Sequence, residues 1–374
     1  MKSFMQKLKM VDLFGQYLRI KEEIDTEMQR VIDSTTFING PQVKEFCSKL
    51  ADYLKVKHVI GCANGTDALQ IALMALDLRP GDEVISPDFT FIATVEVISL
   101  LRLKPVIVDV DPDTFTIDIN QVKKAINSRT KAIIPVHLYG LCANLGELIP
   151  IAQEHNLPII EDTAQALGAT YNDKRYSGKA GTLGTIGCTS FFPSKNLGCF
   201  GDGGAIMTND DYLAERIHSI ANHGAKVKYY HDEIGVNSRL DTLQAAILNV
   251  KLKYLDEYAL ARQNAASYYN QRLSKLKGII TPKVPAYTSH VYHQYTIKLA
   301  DDRDALKNYL SERGIPSMIY YPVPMHAQKA FQAKGNFPIS DTLAKSVLSL
   351  PMHTELTTSE QNYICDCIET FVKN

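Results

Sequence analysis

A chain of 374 residues exceeds what one hydrophobic core usually organises and suits a large domain with a smaller companion. With 45% hydrophobic and 22% charged residues it has ordinary globular proportions, so neither disulfides nor a metal is needed to hold it together. A formal net charge of -1 argues against a general nucleic-acid or anionic-membrane binder, although a local basic pocket for a small anion stays open.

At the N-terminus Lys2, Lys7, Lys9 and Arg19 interrupt the apolar residues, so no secretory signal peptide is expected. No stretch has the apolar length of a membrane span. Seven cysteines (Cys47, Cys62, Cys142, Cys188, Cys199, Cys365 and Cys367) include no Cys-x-x-Cys pair. They read as structural thiols of a protein in the reducing cytoplasm, with no metal site.

From about residue 50, short β-branched runs alternate with helical patterns. Strands are predicted at His58–Ile60, Glu83–Ile85, Pro105–Val108, Lys131–Ile134, Pro158–Ile160, Cys188–Phe191 and Ala205–Met207. Most are apolar on both faces, as in a mostly parallel sheet buried between helix layers. Helices are predicted at Thr66–Leu76, Ala93–Leu101 and Leu145–His155. This is an α/β pattern. After Gly235 the rhythm changes: Asp241–Tyr269 reads as one long helix, Tyr292–Ile297 as a strand, and Arg303–Arg313 as a helix closed by Gly314. A large domain over 1–255 and a smaller C-terminal α+β domain over 256–374 follow from that change.

Ligands of open parallel sheets bind beyond the carboxyl ends of the strands, and the polar anomalies of this chain fall there. After the first strand, Asn64-Gly65-Thr66-Asp67 joins a glycine and a hydroxyl to a helix start, which suits a phosphate; read alone it is more simply a plain helix cap. After Ile160 come Glu161-Asp162-Thr163-Ala164-Gln165, two acids that need partners or open a helix. After Phe191-Phe192 comes Pro193-Ser194-Lys195-Asn196-Leu197-Gly198, a lysine held between small residues and a Gly-rich turn. A partly desolvated amine in such a place suits Schiff-base chemistry. Pyridoxal phosphate (PLP) would need all three: an anion cradle, an acid at the pyridinium nitrogen, and a lysine for the aldehyde.

With Pro87-Asp88-Phe89-Thr90-Phe91 and Asn237-Ser238-Arg239-Leu240-Asp241, these motifs resemble those of the DegT/DnrJ/EryC1/StrS sugar aminotransferases on the fold type I scaffold, from about Val11 to the C-terminus. The resemblance implies that Lys195 binds the cofactor aldehyde and shuttles a proton, that Asp162 pairs with the pyridine nitrogen, and that Gln165 bonds the ring oxygen. It implies that Gly65, Thr66 and Ser190 hold the phosphate, that Phe91 stacks on the ring, and that Asn237 reaches the phosphate of a partner subunit in a homodimer. Arg239 would take an acidic substrate group, with Tyr320, Tyr321 and His326 closing over the sugar. The loop of His223, Gly224, Lys226, Lys228 and Tyr229 is either a diphosphate contact or a solvated basic loop.

The chain looks most similar to enzymes that aminate C3 of a UDP-linked 2-acetamido-3-keto-hexuronate with L-glutamate, in surface-polysaccharide sugar synthesis. It departs from them at Tyr320, where they carry histidine. A nucleotide-linked 4-keto-6-deoxy sugar is the alternative substrate, and a cyclitol ketone is a further one. A non-catalytic regulatory relative would have no reason to keep Lys195, Asp162 and Gln165 together, and related dehydratases carry histidine at the lysine position.

Overall fold

The computed structural model describes residues 8–331 and 333–373; Lys2 and Lys7 of the N-terminal basic pattern lie outside the described residues. Seven short strands line up as β1 (His58–Cys62), β2 (Glu83–Pro87), β3 (Lys104–Val108), β4 (Thr130–Ile133), β5 (Ile160–Asp162), β6 (Ile186–Ser190) and β7 (Gly204–Thr208). β2 pairs in parallel with β3 and β4, and β5 in parallel with β6. Parallel bridges Ile133–Ile159 and Val136–Asp162 join these halves, giving the order β3-β2-β4-β5-β6-β7-β1. β7 runs antiparallel to both β6 and β1, the one reversal in the sheet. The mostly parallel sheet expected from sequence is therefore present, and Cys62, Pro87, Asp162 and Ser190 all end at one edge.

Successive strand residues feed opposite cores, as the pleat requires. Val84, Ala132 and Ile206 pack with α4 (Gly65–Ala75), α5 (Ala93–Leu100) and α8 (Asp211–Ala221). Ile85 and Ile133 face the other way, onto α6 (Ile119–Ala125) and α7 (Leu145–Glu154), while Ala205 and Met207 meet α3 (Pro41–Leu54) and α9 (Thr242–Leu252). Both faces being covered explains why the strands lack polar alternation.

The single helix expected over Asp241–Tyr269 is two: α9, and α10 (Leu255–Leu273), separated at Lys253-Tyr254. Each serves a different core. Leu248 of α9 packs beneath the large sheet, whereas Ala265, Tyr269 and Leu273 of α10 pack with a second, antiparallel sheet. That sheet has the order β8 (Ile279–Ile280), β9 (Tyr295–Leu299), β10 (Val347–Leu350) and is covered by α11 (Arg303–Glu312) and α13 (Thr358–Lys373). The two parts meet through a mixed cluster in which Phe89, Phe115 and Tyr139 touch Leu343 and Val347. The buried carboxylate of Asp109, just after β3, caps α12 (Pro338–Ser346) by accepting from Ile339 N at 2.9 Å, Ser340 N at 2.9 Å and the Ser340 hydroxyl at 2.6 Å. Six of the seven cysteines are buried and all are unpaired. Among the described residues no helix is long and apolar enough to cross a membrane, and no cluster of metal-ligating side chains occurs.

The two acids of β5 lie within the strand rather than at a helix start, so they point to opposite sides. Glu161 turns toward His137, 2.8 Å away, and accepts from Gly181 N at 2.9 Å and Leu183 N at 2.7 Å. Ala143 N donates to His137 Nδ1, which leaves Nε2 as the donor to Glu161. Burial alone would raise the Glu161 carboxyl, but His137 and the N–H groups of Gly184 and Gly181 outweigh it and hold it below the usual glutamate range. A depressed folded-state carboxyl stabilises the fold above its unfolded value, about 4.3, and that contribution fades as pH falls through the folded value. Glu161→Gln puts an NH₂ against these donors and is expected to cost about 3 kcal/mol at pH 7. Urea denaturation at pH 7 and below pH 4 should show the gap to wild type narrowing in acid.

Candidate active site

At the carboxyl edge, α4 begins with Asn64, whose side chain accepts from Asp67 N at 2.8 Å. The N–H groups of Gly65 and Thr66 have no partner among the described residues and open this helix end toward an anion. A Cβ at Gly65 would stand 2.7 Å from Ser190 Cβ, so only glycine lets the helix start press against the end of β6. Gly65, Thr66 and the Ser190 hydroxyl thus share one cradle. Ser238 ties a third segment to it, donating to Asp67 Oδ2 at 2.6 Å and accepting from Ala63 N at 3.0 Å. Its neighbours Asn237, exposed, and Arg239, half-buried, make no side-chain hydrogen bond or ion pair among the described residues.

Lys195 sits in a tight turn after β6, where its own N–H bonds Phe192 O at 2.8 Å and Cys199 N bonds Phe191 O at 2.8 Å. Gly198 closes the turn, since a Cβ there would be 2.3 Å from Pro193 O. The Lys195 amine has no hydrogen-bond or salt-bridge partner among the described residues. Burial pulls it down to about 8, against the opposing attraction of Asp162. A second buried lysine was not singled out from sequence: Lys251 on α9, also pulled down to about 8 by burial, donates to Gly198 O at 2.6 Å and braces the same turn.

Asp162, at the end of β5, takes its neighbours from three elements. Thr94 of α5 donates to Oδ2 at 2.8 Å, Ala164 N donates to Oδ1 at 3.1 Å, and Lys195 lies within electrostatic reach. Burial raises its carboxyl above the usual range despite these contacts. Gln165 is occupied at both ends: Tyr139 N donates to Oε1 at 2.7 Å, and Nε2 donates to the Tyr321 hydroxyl at 2.9 Å. Tyr139 adopts a left-handed conformation, φ 58°, uncommon for a non-glycine and concentrated at functional sites. The exposed Phe91 ring lies 6.2 Å from that of Tyr321.

The fold therefore brings Gly65, Thr66, Phe91, Asp162, Gln165, Ser190, Lys195 and Tyr321 to one edge, with Tyr320 adjoining, 6.0 Å ring to ring from Tyr321. His326 is turned elsewhere: its backbone N and Nδ1 donate to the buried Asp88 carboxylate at 2.6 and 2.7 Å. His223 to His231 form a hairpin (Ala225–Val227 with Tyr230–His231) whose Lys226, Lys228 and Tyr229 are exposed. Thr94 and Tyr139 escape a sequence reading, and Asp88 stands out only as part of a motif with no role of its own, because each is an ordinary residue whose partner is distant in sequence.

The sequence profile of the DegT/DnrJ/EryC1/StrS aminotransferase family matches residues 18–369. The UDP-2-acetamido-2-deoxy-3-oxo-D-glucuronate aminotransferase of Pseudomonas aeruginosa is 48% identical over 359 residues, spanning 96% of this chain and 98% of its own. A protein of Geobacillus stearothermophilus named as a pleiotropic regulatory protein is 47% identical over 371 residues, 98% of each chain. Among solved structures, S. venezuelae DesV in complex with a ketimine intermediate matches with TM-score 0.95 at 38% identity, over 98% of this chain and 99% of that one. The chain belongs to the DegT/DnrJ/EryC1/StrS aminotransferase family, whose cofactor is PLP. Its side chains fit that group: an amine without a bonding partner among the described residues, a buried carboxylate, and a helix start whose glycine leaves room beside Ser190.

An amine near 8 is deprotonated at pH 7 roughly two hundred times more often than an ordinary lysine near 10.4. Competitive labelling of the cofactor-free protein should give Lys195 an apparent pKa near 8. Asp162→Asn, which removes the attraction favouring the charged amine, should lower it further.

Proposed function

We propose that this aminotransferase transfers the amino group of L-glutamate to C3 of a UDP-linked 2-acetamido-3-keto-hexuronate, in the cytoplasm, for surface-polysaccharide sugar synthesis. The observation that carries the catalytic reading is the Lys195 amine, without a bonding partner among the described residues, beside the buried Asp162. When bound, PLP supplies an electron sink for charge left at a reacting carbon and carries the amino group between the two substrates. Lys195 would hold it, and the Lys195 amine, brought down to about 8 by burial, would take and return the proton at the substrate carbon. Asp162 would meet the ring nitrogen, with Thr94 fixing the orientation of its carboxylate. Gln165, oriented by Tyr139 and Tyr321, and Phe91 would hold the ring, and Gly65, Thr66 and Ser190 would receive the phosphate.

Two further parts of the reading concern assembly and substrate. The exposed Asn237, held out by Ser238, completes the phosphate site of a second subunit in a homodimer. Residues 256–374 act as a small domain that presents Tyr320 and Tyr321 to the sugar. Arg239, free of any carboxylate among the described residues, receives the uronate and the glutamate carboxylate in turn; its planar fork suits that group better than lysine would. The similarity to the Pseudomonas aeruginosa enzyme named for a 3-oxo-glucuronate supports this sugar. The presence together of Lys195, Asp162 and Gln165 favours catalysis over the regulatory role in the name of the Geobacillus relative.

Lys195→Ala is expected to abolish turnover and the lysine-dependent visible absorbance while still binding PLP; full activity in that variant contradicts the reading. Losing a charge-assisted contact costs roughly 1.5–3 kcal/mol, about one to two decades. The kcat/KM of Arg239→Lys for the keto-sugar, which the glutamate half-reaction does not enter, should therefore fall that far for the UDP-3-keto-uronate and far less for a neutral 4-keto-6-deoxy sugar. A wild type that prefers the neutral sugar ends the uronate assignment. Mixing Lys195→Ala with Asn237→Ala subunits should restore activity, because mixed dimers hold one intact site.

A further inference from the structure

The Asp88 carboxylate is fully buried just beyond β2, and its side-chain partner is a residue 238 positions later in the chain. It accepts from His326 N at 2.6 Å and from His326 Nδ1 at 2.7 Å, while its backbone carbonyl accepts from Met325 N at 2.9 Å. The imidazole is clamped on its other sides as well. It stacks on Phe337 at 4.6 Å and 15°, and its Nε2 is 3.5 Å from Asp341. Each oxygen of this enclosed carboxylate is held by one His326 donor, with Ser340 as a further side-chain contact, so the pairing is geometrically strict.

The same loop is held at its opposite end by the active site itself. The Tyr139 hydroxyl donates to Tyr320 O, and Gln165 Nε2 donates to the Tyr321 hydroxyl. Between the two anchors run Pro322-Val323-Pro324, whose prolines have fixed φ and no N–H to lose. Phe89, next to Asp88, lies 6.1 Å from the Tyr321 ring, so the two anchors share one strand end. A displacement at His326 is therefore carried along a stiff segment to Tyr321, and from there to Gln165 and its second partner, Tyr139 N.

We propose that Asp88 and His326 are a positioning pair: they touch no reacting atom but set where Tyr320, Tyr321 and the Gln165 amide stand. The sequence motif suggested that His326 meets the sugar directly; the geometry instead points to an indirect action through the loop. The relevance to turnover rests on the assignment of the Lys195 site proposed above, whereas the mechanical coupling does not.

Hydrogen exchange on the protein without cofactor or substrate separates the two. His326→Ala and Asp88→Ala should each speed exchange of the Leu138–Gly140 amides about tenfold or more, because Tyr139 N loses the Gln165 acceptor that Tyr321 holds in place. Asp88→Asn should stay within about twofold of wild type, since a carboxamide can bond a neutral imidazole in its other tautomer. The double variant Asp88→Ala/His326→Ala should exchange no faster than either single one, as expected of partners in one contact. In the holoenzyme, His326→Ala should raise KM for the keto-sugar about tenfold with kcat reduced less than threefold, and His326→Asn should recover part of that loss. Faster exchange confined to residues 325–328, with 138–140 unchanged, overturns the proposal, as does equal acceleration across the whole chain.

Discussion

Four carboxylates taken out of water govern this structure. Asp88, Asp109, Glu161 and Asp162 are buried at or just beyond the carboxyl ends of β2, β3 and β5. A charge in such a place is tolerated only where donors surround it, and each of the four recruits donors from another part of the chain. Asp109 takes the start of α12, Asp88 takes His326, Glu161 takes His137 and the 181–184 turn, and Asp162 takes Thr94. The edge of the sheet is thus both the seam to which the C-terminal region is fastened and the place where the chemistry is assembled.

Asp162 differs from its neighbour Glu161 in having room for more charge. Its two oxygens hold single donors at 2.8 and 3.1 Å, while Glu161 accepts from His137 and the 181–184 turn. Its pKa moves up while that of Glu161 moves down, although the two residues are adjacent. Burial is common to both; the His137 contact, with the N–H groups of Gly184 and Gly181, decides the sign. A carboxylate left incompletely satisfied beside a lysine without a bonding partner among the described residues is the arrangement on which the proposed cofactor site rests. Lys251 makes the complementary point for amines: it is depressed as far as Lys195, yet its amine is bound to Gly198 O and enclosed, so its role is to brace the turn.

Much of this was legible in the sequence. The β-branched runs located every strand of the large sheet to within a few residues, because burial on both faces leaves little room for polar residues. The anion cradle, Asp162, Gln165 and Lys195 were readable as polar anomalies after apolar runs. Strand direction was not readable: nothing in Ala205-Ile206-Met207 tells an antiparallel strand from a parallel one. The break between α9 and α10 was invisible because no proline or glycine marks it, and only the allegiance of the two helices to different cores separates them. The side chains that orient the site, Thr94, Tyr139 and Asp88, meet partners 68, 26 and 238 positions away. Such pairings are properties of the fold, not of any local pattern.

The central claim is that one particular amine, Lys195, carries the cofactor. Borohydride reduction of the PLP-loaded protein, followed by digestion and mass spectrometry, reads this directly, because it converts a Schiff base into a permanent pyridoxyl adduct on the lysine that formed it. The account predicts stoichiometric modification of the peptide containing Lys195, with Lys251 unmodified. An adduct on Lys251 or on a surface lysine, with Lys195 free, would contradict it.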